Sequence, residues 1–200
     1  MLKLLRNSRA LSTVVTTLII LVVSVLLATV VVYYATNVVS TRVQEESLHI
    51  TKQHVWHNAT ASVGTVSYSQ AALMIINTGG RDVVIDKIAI RGQECKWNNT
   101  AITQNRFVLY SAVDGPVRED LPYVENFTAG LNQITIDTTT YDFNVAPGDL
   151  VLKSGATLLL YIVNPDSISV NDVGLTVGIA IHTAQAVYYR EANVEAVAMQ

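Results

Sequence analysis

Between Arg9 and Arg42 the chain carries no charged side chain, and most positions in residues 11–41 are Val, Leu, Ile, Ala or Thr. A helix crosses the hydrocarbon of a bilayer in about 20 residues at about 1.5 Å of rise each, so this stretch is longer than crossing alone demands. Residues 18–32 are interrupted only by Ser24 and Thr29 and are apolar on every side, whereas a soluble surface helix keeps a polar face. Val22, Val23, Val25, Val30, Val31 and Val32 favour a strand in water, but an open strand in hydrocarbon leaves unpaired amides at a steep cost. A helix buried by lipid or by copies of itself is therefore expected.

The rest of the 200 residues has room for one further domain of ordinary size. Residues 42–60 bring Glu45, Glu46, His49, Lys52, His54 and His57 together. Glu45 with His49, four apart, and Val43 with Ile50, seven apart, predict that the helix continues as a stalk to residue 57. From Val63 onward the period falls to two, and Gly, Asn, Asp and Pro punctuate the chain, which predicts an all-β domain over residues 58–200.

The apolar run 73–76, the turn Asn77-Thr78-Gly79-Gly80-Arg81-Asp82 and the run 83–90 predict a hairpin. Val83 and Ile85 fall on one face and Ile88 and Ile90 on the other, so a β-bulge is expected at Asp86-Lys87. Further strands are expected at 106–113, 133–137, 157–163, 173–182 and 187–197. In 173–182, Gly174, Gly178 and Ala180 flatten one face, which suits either close packing or a contact surface. Asp114-Gly115-Pro116, Asp120-Leu121-Pro122 and Ala146-Pro147-Gly148-Asp149 mark loops. The expected fold class is α+β: a long N-terminal hydrophobic helix followed by an all-β, immunoglobulin-like β-sandwich head without the cysteine pair of antibody domains.

A net charge of −3 with scattered basic residues argues against nucleic-acid binding. Cys95 is the only cysteine, so neither an intramolecular disulfide nor a Cys-based metal site can form. No enzyme and no cofactor are expected: His182 has no nucleophile motif near it, and Cys95, beside Lys96 and Trp97, has no His partner. Asp114, Glu119 and Asp120 lack the spacing of an EF-hand, and His54 with His57 at helical spacing lack further ligands, so no metal is expected either. Three sequons begin at Asn58, Asn98 and Asn126, all beyond the apolar helix, and are candidate N-glycosylation sites.

Ahead of the helix, residues 1–10 carry Lys3, Arg6 and Arg9 and no acid, which predicts a cytoplasmic N-terminus and an exported head. A secretory signal has an apolar core of about 7 to 15 residues ending in a small-x-small site, and Tyr33-Tyr34-Ala35 does not fit that. The junction Ser8-Arg9-Ala10-Leu11-Ser12-Thr13-Val14-Val15 resembles the class III prepilin signal of archaeal type IV pilins and archaellins.

The resemblance implies cleavage between Ala10 and Leu11 by a prepilin peptidase. It implies a helix that first anchors the chain in the membrane and then packs into a filament core, with Val14, Leu18, Leu21, Val25 and Val32 as core positions. It also implies a pilus assembly platform and ATPase as partners, and a β-sandwich head that is often glycosylated. Leu11-Ser12-Thr13-Val14 is closer to the pilin form than to the Gly-rich start of an archaellin. The alternatives are an archaellum subunit and a single-pass, signal-anchored binding domain that keeps residues 1–10 and never assembles.

Overall fold

The computed structural model describes residues 8–43, 45–58, 68–99, 106–125 and 133–197. The chain forms two units, Met1–Gln44 and Glu45–Gln200. The described residues of the first form one helix, α1, Ser8–Val43. The second is built of strands β1 (Leu48–Asn58), β2 (Ser69–Asn77), β3 (Val83–Ile90), β4 (Gln93–Glu94), β5 (Asn98–Asn99) and β6 (Arg106–Val113). These are followed by β7 (Gln133–Ile136), β8 (Thr139–Asp142), β9 (Asn144–Val145), β10 (Leu150–Leu152), β11 (Thr157–Val163), β12 (Thr176–Thr183) and β13 (Val187–Val197).

The expected stalk is not helical. The helix ends at Val43, and Leu48–Asn58, assigned to the stalk from its i, i+4 charges, is strand β1. Leu48, Ile50 and Val55 all enter the head's core. Ile50 and Val55 are an odd number of residues apart, and they share a face because the register with β2 shifts between Thr51 and His54. Lys52 in that shift has φ of 52°, and its ammonium donates to the Arg118 and Glu119 carbonyls. Burial of alternate apolar residues thus outweighs the helical spacing of the exposed polar ones, and the head begins at Glu45 rather than Asn58.

One sheet runs β1-β2-β11-β6, with β5 and β9 on the outer edge of β6; the other runs β10-β3-β12-β13, with β4 on β3. β13 joins the two, pairing antiparallel with β12 and then, from Val194, parallel with Val55–Asn58 of β1. The orders β1-β2-β11-β6 and β3-β12-β13 match the two sheets of an immunoglobulin-type sandwich. The predicted β2–β3 hairpin is not made, because the 77–82 turn crosses from one sheet to the other. Leu73 and Ile75 of one sheet then meet Val83 and Ile85 of the other in a shared core.

The expected bulge is present: Ile85 pairs with Thr183 and Lys87 with His182, leaving Asp86 over, so Val83, Ile85, Ile88 and Ile90 all reach the core. The strand expected from Val173 begins at Thr176, since Gly174 turns at φ of 82° and Val173 and Leu175 are exposed.

The described residues form two cores. The first lies between the sheets and includes Val55, Leu73, Ile88, Leu160, Val177 and Ile179. The second lies on the outer face of the first sheet, where Met74, Phe107, Leu109, Leu159 and Tyr161 are covered by Val117, Leu121, Ile134, Ile136 and Phe143 from the long β6–β11 connection. Burial on both faces explains why β2 and β11 read as nearly unbroken apolar runs instead of alternating.

Candidate functional site

The segment Ser12–Thr41 has the length and hydropathy of a membrane span and is exposed along its whole length. Val14, Leu18, Leu21, Val25 and Val32 recur at steps of three, four and seven residues, which puts them on one stripe, and each is more than half exposed. The hydroxyls are turned inward on the helix's own backbone. Thr16 donates to the Ser12 carbonyl at 2.8 Å and Thr29 to Val25 at 2.8 Å, four residues back. Thr17 donates to Val14 at 2.9 Å and Ser24 to Leu21 at 2.8 Å, three back. Such back-bonding removes the polar penalty of immersing these residues in lipid or among other helices. Ala10 and Leu11 lie within the first turns of α1.

The head is pinned where it leaves the helix segment. The amides of Thr78 and Gly79 both donate to the Ser47 carbonyl, at 2.9 and 3.1 Å. A Cβ on Gly79 would meet the Glu45 carbonyl oxygen at 2.7 Å and the Ser47 nitrogen at 2.8 Å, so only glycine permits this approach. Asn77 braces the same turn by donating to the Arg81 and Leu152 carbonyls.

The three sequons are not equivalent. Asn58 is only 5% exposed and its Nδ2, the atom a glycan would occupy, donates to the Tyr123 hydroxyl at 3.3 Å. A glycan there is incompatible with the packed fold, which corrects the expectation for that sequon. Asn98 is exposed on the edge strand β5, and Asn126 lies outside the described residues.

His54 and His57, three apart on a strand, point to opposite faces. His54 stacks on Trp56 with centroids 5.2 Å apart and lies 3.5 Å from Glu195. His57 is buried edge-on to Tyr68, and burial lowers its pKa against a smaller opposing pull from Asp172. Among the described residues no three His, Cys, Asp or Glu side chains are grouped as metal ligands. Burial pushes the Cys95 thiol up to about 12, so it is no nucleophile.

Sequence reading missed the buried carboxylate of Asp172. It accepts from the Ser169 hydroxyl and amide at 2.7 and 2.8 Å and pairs with Arg91. The Ser169 bonds, ahead of the Arg91 charge, hold it below the usual carboxylate range. The Ser-x-x-Asp spacing of a helix cap was the available signal.

Fold and helix together define a class, a single helix fit to span a membrane followed by a β-sandwich head. No known protein-family model matches the chain, and no curated protein matches it.

Proposed function

We propose that this chain is a structural subunit of an archaeal type IV pilus-like surface filament, serving adhesion or surface attachment. In this reading a prepilin peptidase removes residues 1–10. The helix from Leu11 first holds the chain in the membrane with the leader in the cytoplasm, and an assembly platform and ATPase then move it into a filament core with the head outside. Association buries apolar surface at about 25 cal/mol per Å². If the head is glycosylated, Asn98 is the acceptor that the fold leaves open.

The observation that carries this reading is the Ser12–Thr41 surface, which is apolar, exposed throughout and back-bonded at Thr16, Thr17, Ser24 and Thr29, while the head closes both of its cores with its own residues. The test is the N-terminal residue of protein recovered from its native cell surface, read by intact mass. A chain starting at Leu11 supports the filament subunit. A chain retaining Lys3, Arg6 and Arg9 refutes it in favour of a signal-anchored domain.

A further inference from the structure

The two sheets of the head differ on their outer faces. The first sheet is covered by residues of the β6–β11 connection. On the second, β10-β3-β12-β13, the outward apolar residues stay open: Val84 is 39% exposed, Val151 64%, Val187 59% and Tyr189 57%. Among the described residues, the head's other exposed large apolar side chains are Val170, Val173 and Leu175, in the segment that leads into β12. Exposed apolar surface is therefore gathered on the second sheet's side of the head.

That face has relief. Val177, Ile179 and Ile181 point into the core, so Gly178 and Ala180 of β12 point out. Ala192 and Val194 point in, so Val187, Tyr189 and Glu191 of β13 point out. Ala180 pairs with Ala89 on one side and with Tyr189 on the other. Small residues on β3 and β12 thus form a hollow beside a ridge of large ones on β13. The Tyr189 ring leans over Gly178, in the space a Cβ would need, and its hydroxyl donates to Glu191 at 3.1 Å. An aromatic held in this way is the kind of side chain that anchors an interface.

We infer that this face pairs with the same face of a second copy, about a twofold axis parallel to the strands. Such an axis over β12 carries the β13 ridge of each copy to the β3 side of the other. Large side chains then meet the Ala89–Ala180 hollow in both directions at once, as an isologous contact between aligned sheets requires. A twofold across the strands sets ridge on ridge instead. An axis along the strands also keeps Glu45, where the head begins, at the same end in both copies, which suits two chains held in one bilayer.

The area sets the strength of the pair. Eight residues of β12 extend about 27 Å, and four strands span about 19 Å, so each copy contributes about 500 Å². The total of about 1,000 Å² is at the lower limit for a specific interface, the range of transient contacts. Confinement to one membrane supplies the effective concentration that such a contact needs. The pairing holds whether or not the chain goes on to assemble, because every residue in it belongs to the head.

The experiment uses the full chain in phosphatidylcholine vesicles at a high lipid-to-protein ratio. A cysteine is placed at Ala180, close to the axis, or at exposed Thr140 on β8, which lies on the covered side of the head. Native Cys95 is buried. After labelling with a simple maleimide has shown that both positions react, a short bis-maleimide is expected to cross-link Ala180→Cys about fivefold or more over Thr140→Cys. Val187→Glu in the Ala180→Cys background is expected to lower the yield to that of Thr140→Cys, because it sets a charge into the contact, and Val187→Leu is expected to preserve it. Circular dichroism and urea midpoints confirm that each variant is folded.

Three results overturn the inference: equal yields at Ala180→Cys and Thr140→Cys, which would mean that the helices alone bring the chains together; a yield unchanged by Val187→Glu in folded protein; or no cross-link at Ala180→Cys.

Discussion

Phe143→Ala tests whether the β6–β11 connection is a true second core or a loop laid over a finished sandwich. Phe143 is 1% exposed and meets the equally buried Tyr161 edge-to-face, with centroids 5.5 Å apart at 78°. Truncating a buried Phe costs about 3–5 kcal/mol, of which the aromatic contact accounts for about 0.5–1.5. A domain of this size is stable by about 5–15 kcal/mol, so the loss is a large share. With a urea slope near 2 kcal/mol/M the midpoint falls by about 2 M.

The chain supplies its own reporters, because of its two tryptophans Trp56 lies in the second core and Trp97 packs against the first. Urea titrations of the single-tryptophan backgrounds Trp97→Phe and Trp56→Phe read the cores separately. Coincident shifts mean that both cores unfold as one unit, and an early transition at Trp56 alone means that the cover opens first. Midpoints that stay within about 0.3 M at both tryptophans refute the second core. Val84→Ala, on the exposed face of β3, is the control and changes stability by less than about 0.5 kcal/mol.

Gly79→Ala drives a methyl into the backbone of Glu45 and Ser47 and is expected to lower stability by about 1–3 kcal/mol. Gly178→Ala meets only the ring of exposed Tyr189, which can swing away, so it costs less than about 1 kcal/mol; equal losses in urea titrations refute the distinction. Asp172 has a folded pKa below its unfolded value, so its stabilisation is complete above about pH 4 and is lost as pH falls through the folded value. Asp172→Asn should therefore flatten the acid limb of the stability profile below pH 4, after subtraction of the limb that the lowered His57 contributes below about pH 6.5; identical limbs count against this role. Under the filament reading, a charge at Val23 or Leu27 is buried unpaired and should abolish filaments seen by electron microscopy, and normal filaments from such a mutant reject the core role of the helix.

Much of the head was legible where one strand's own residues decide its state. β6, β11 and β13 match their predicted bounds, and the bulge at Asp86 followed from the broken alternation of Val83, Ile85, Ile88 and Ile90. Reading failed where a distant partner decides. β1 carries helix-like charge spacing, and only the core beneath Leu48, Ile50 and Val55 makes it a strand. The β2–β3 crossover differs from a hairpin only in which sheet β3 joins. Asn58 satisfies a sequon in sequence and violates it in space, since acceptor motifs specify residues and not exposure.

The length of the helix bears on which reading is right. Residues 11–32 extend about 33 Å, close to the roughly 30 Å of bilayer hydrocarbon. Tyr33 and Tyr34 then fall at the level of the headgroups, where amphipathic rings are favoured. A membrane anchor is complete at that point, yet Val38 and Val39 continue the apolar surface by more than another turn. A bundle of such helices would bury those two valines, which the filament reading would put to use. A cysteine at Val39 separates the two, because native Cys95 is buried with its pKa pushed up to about 12 and stays silent toward maleimide. On whole cells, Val39→Cys in an anchored protein reacts with a membrane-impermeant maleimide as fast as a cysteine at exposed Ser154. In assembled filaments it should react about tenfold or more slowly, and equal rates in material confirmed as filamentous would remove Val39 from the interface.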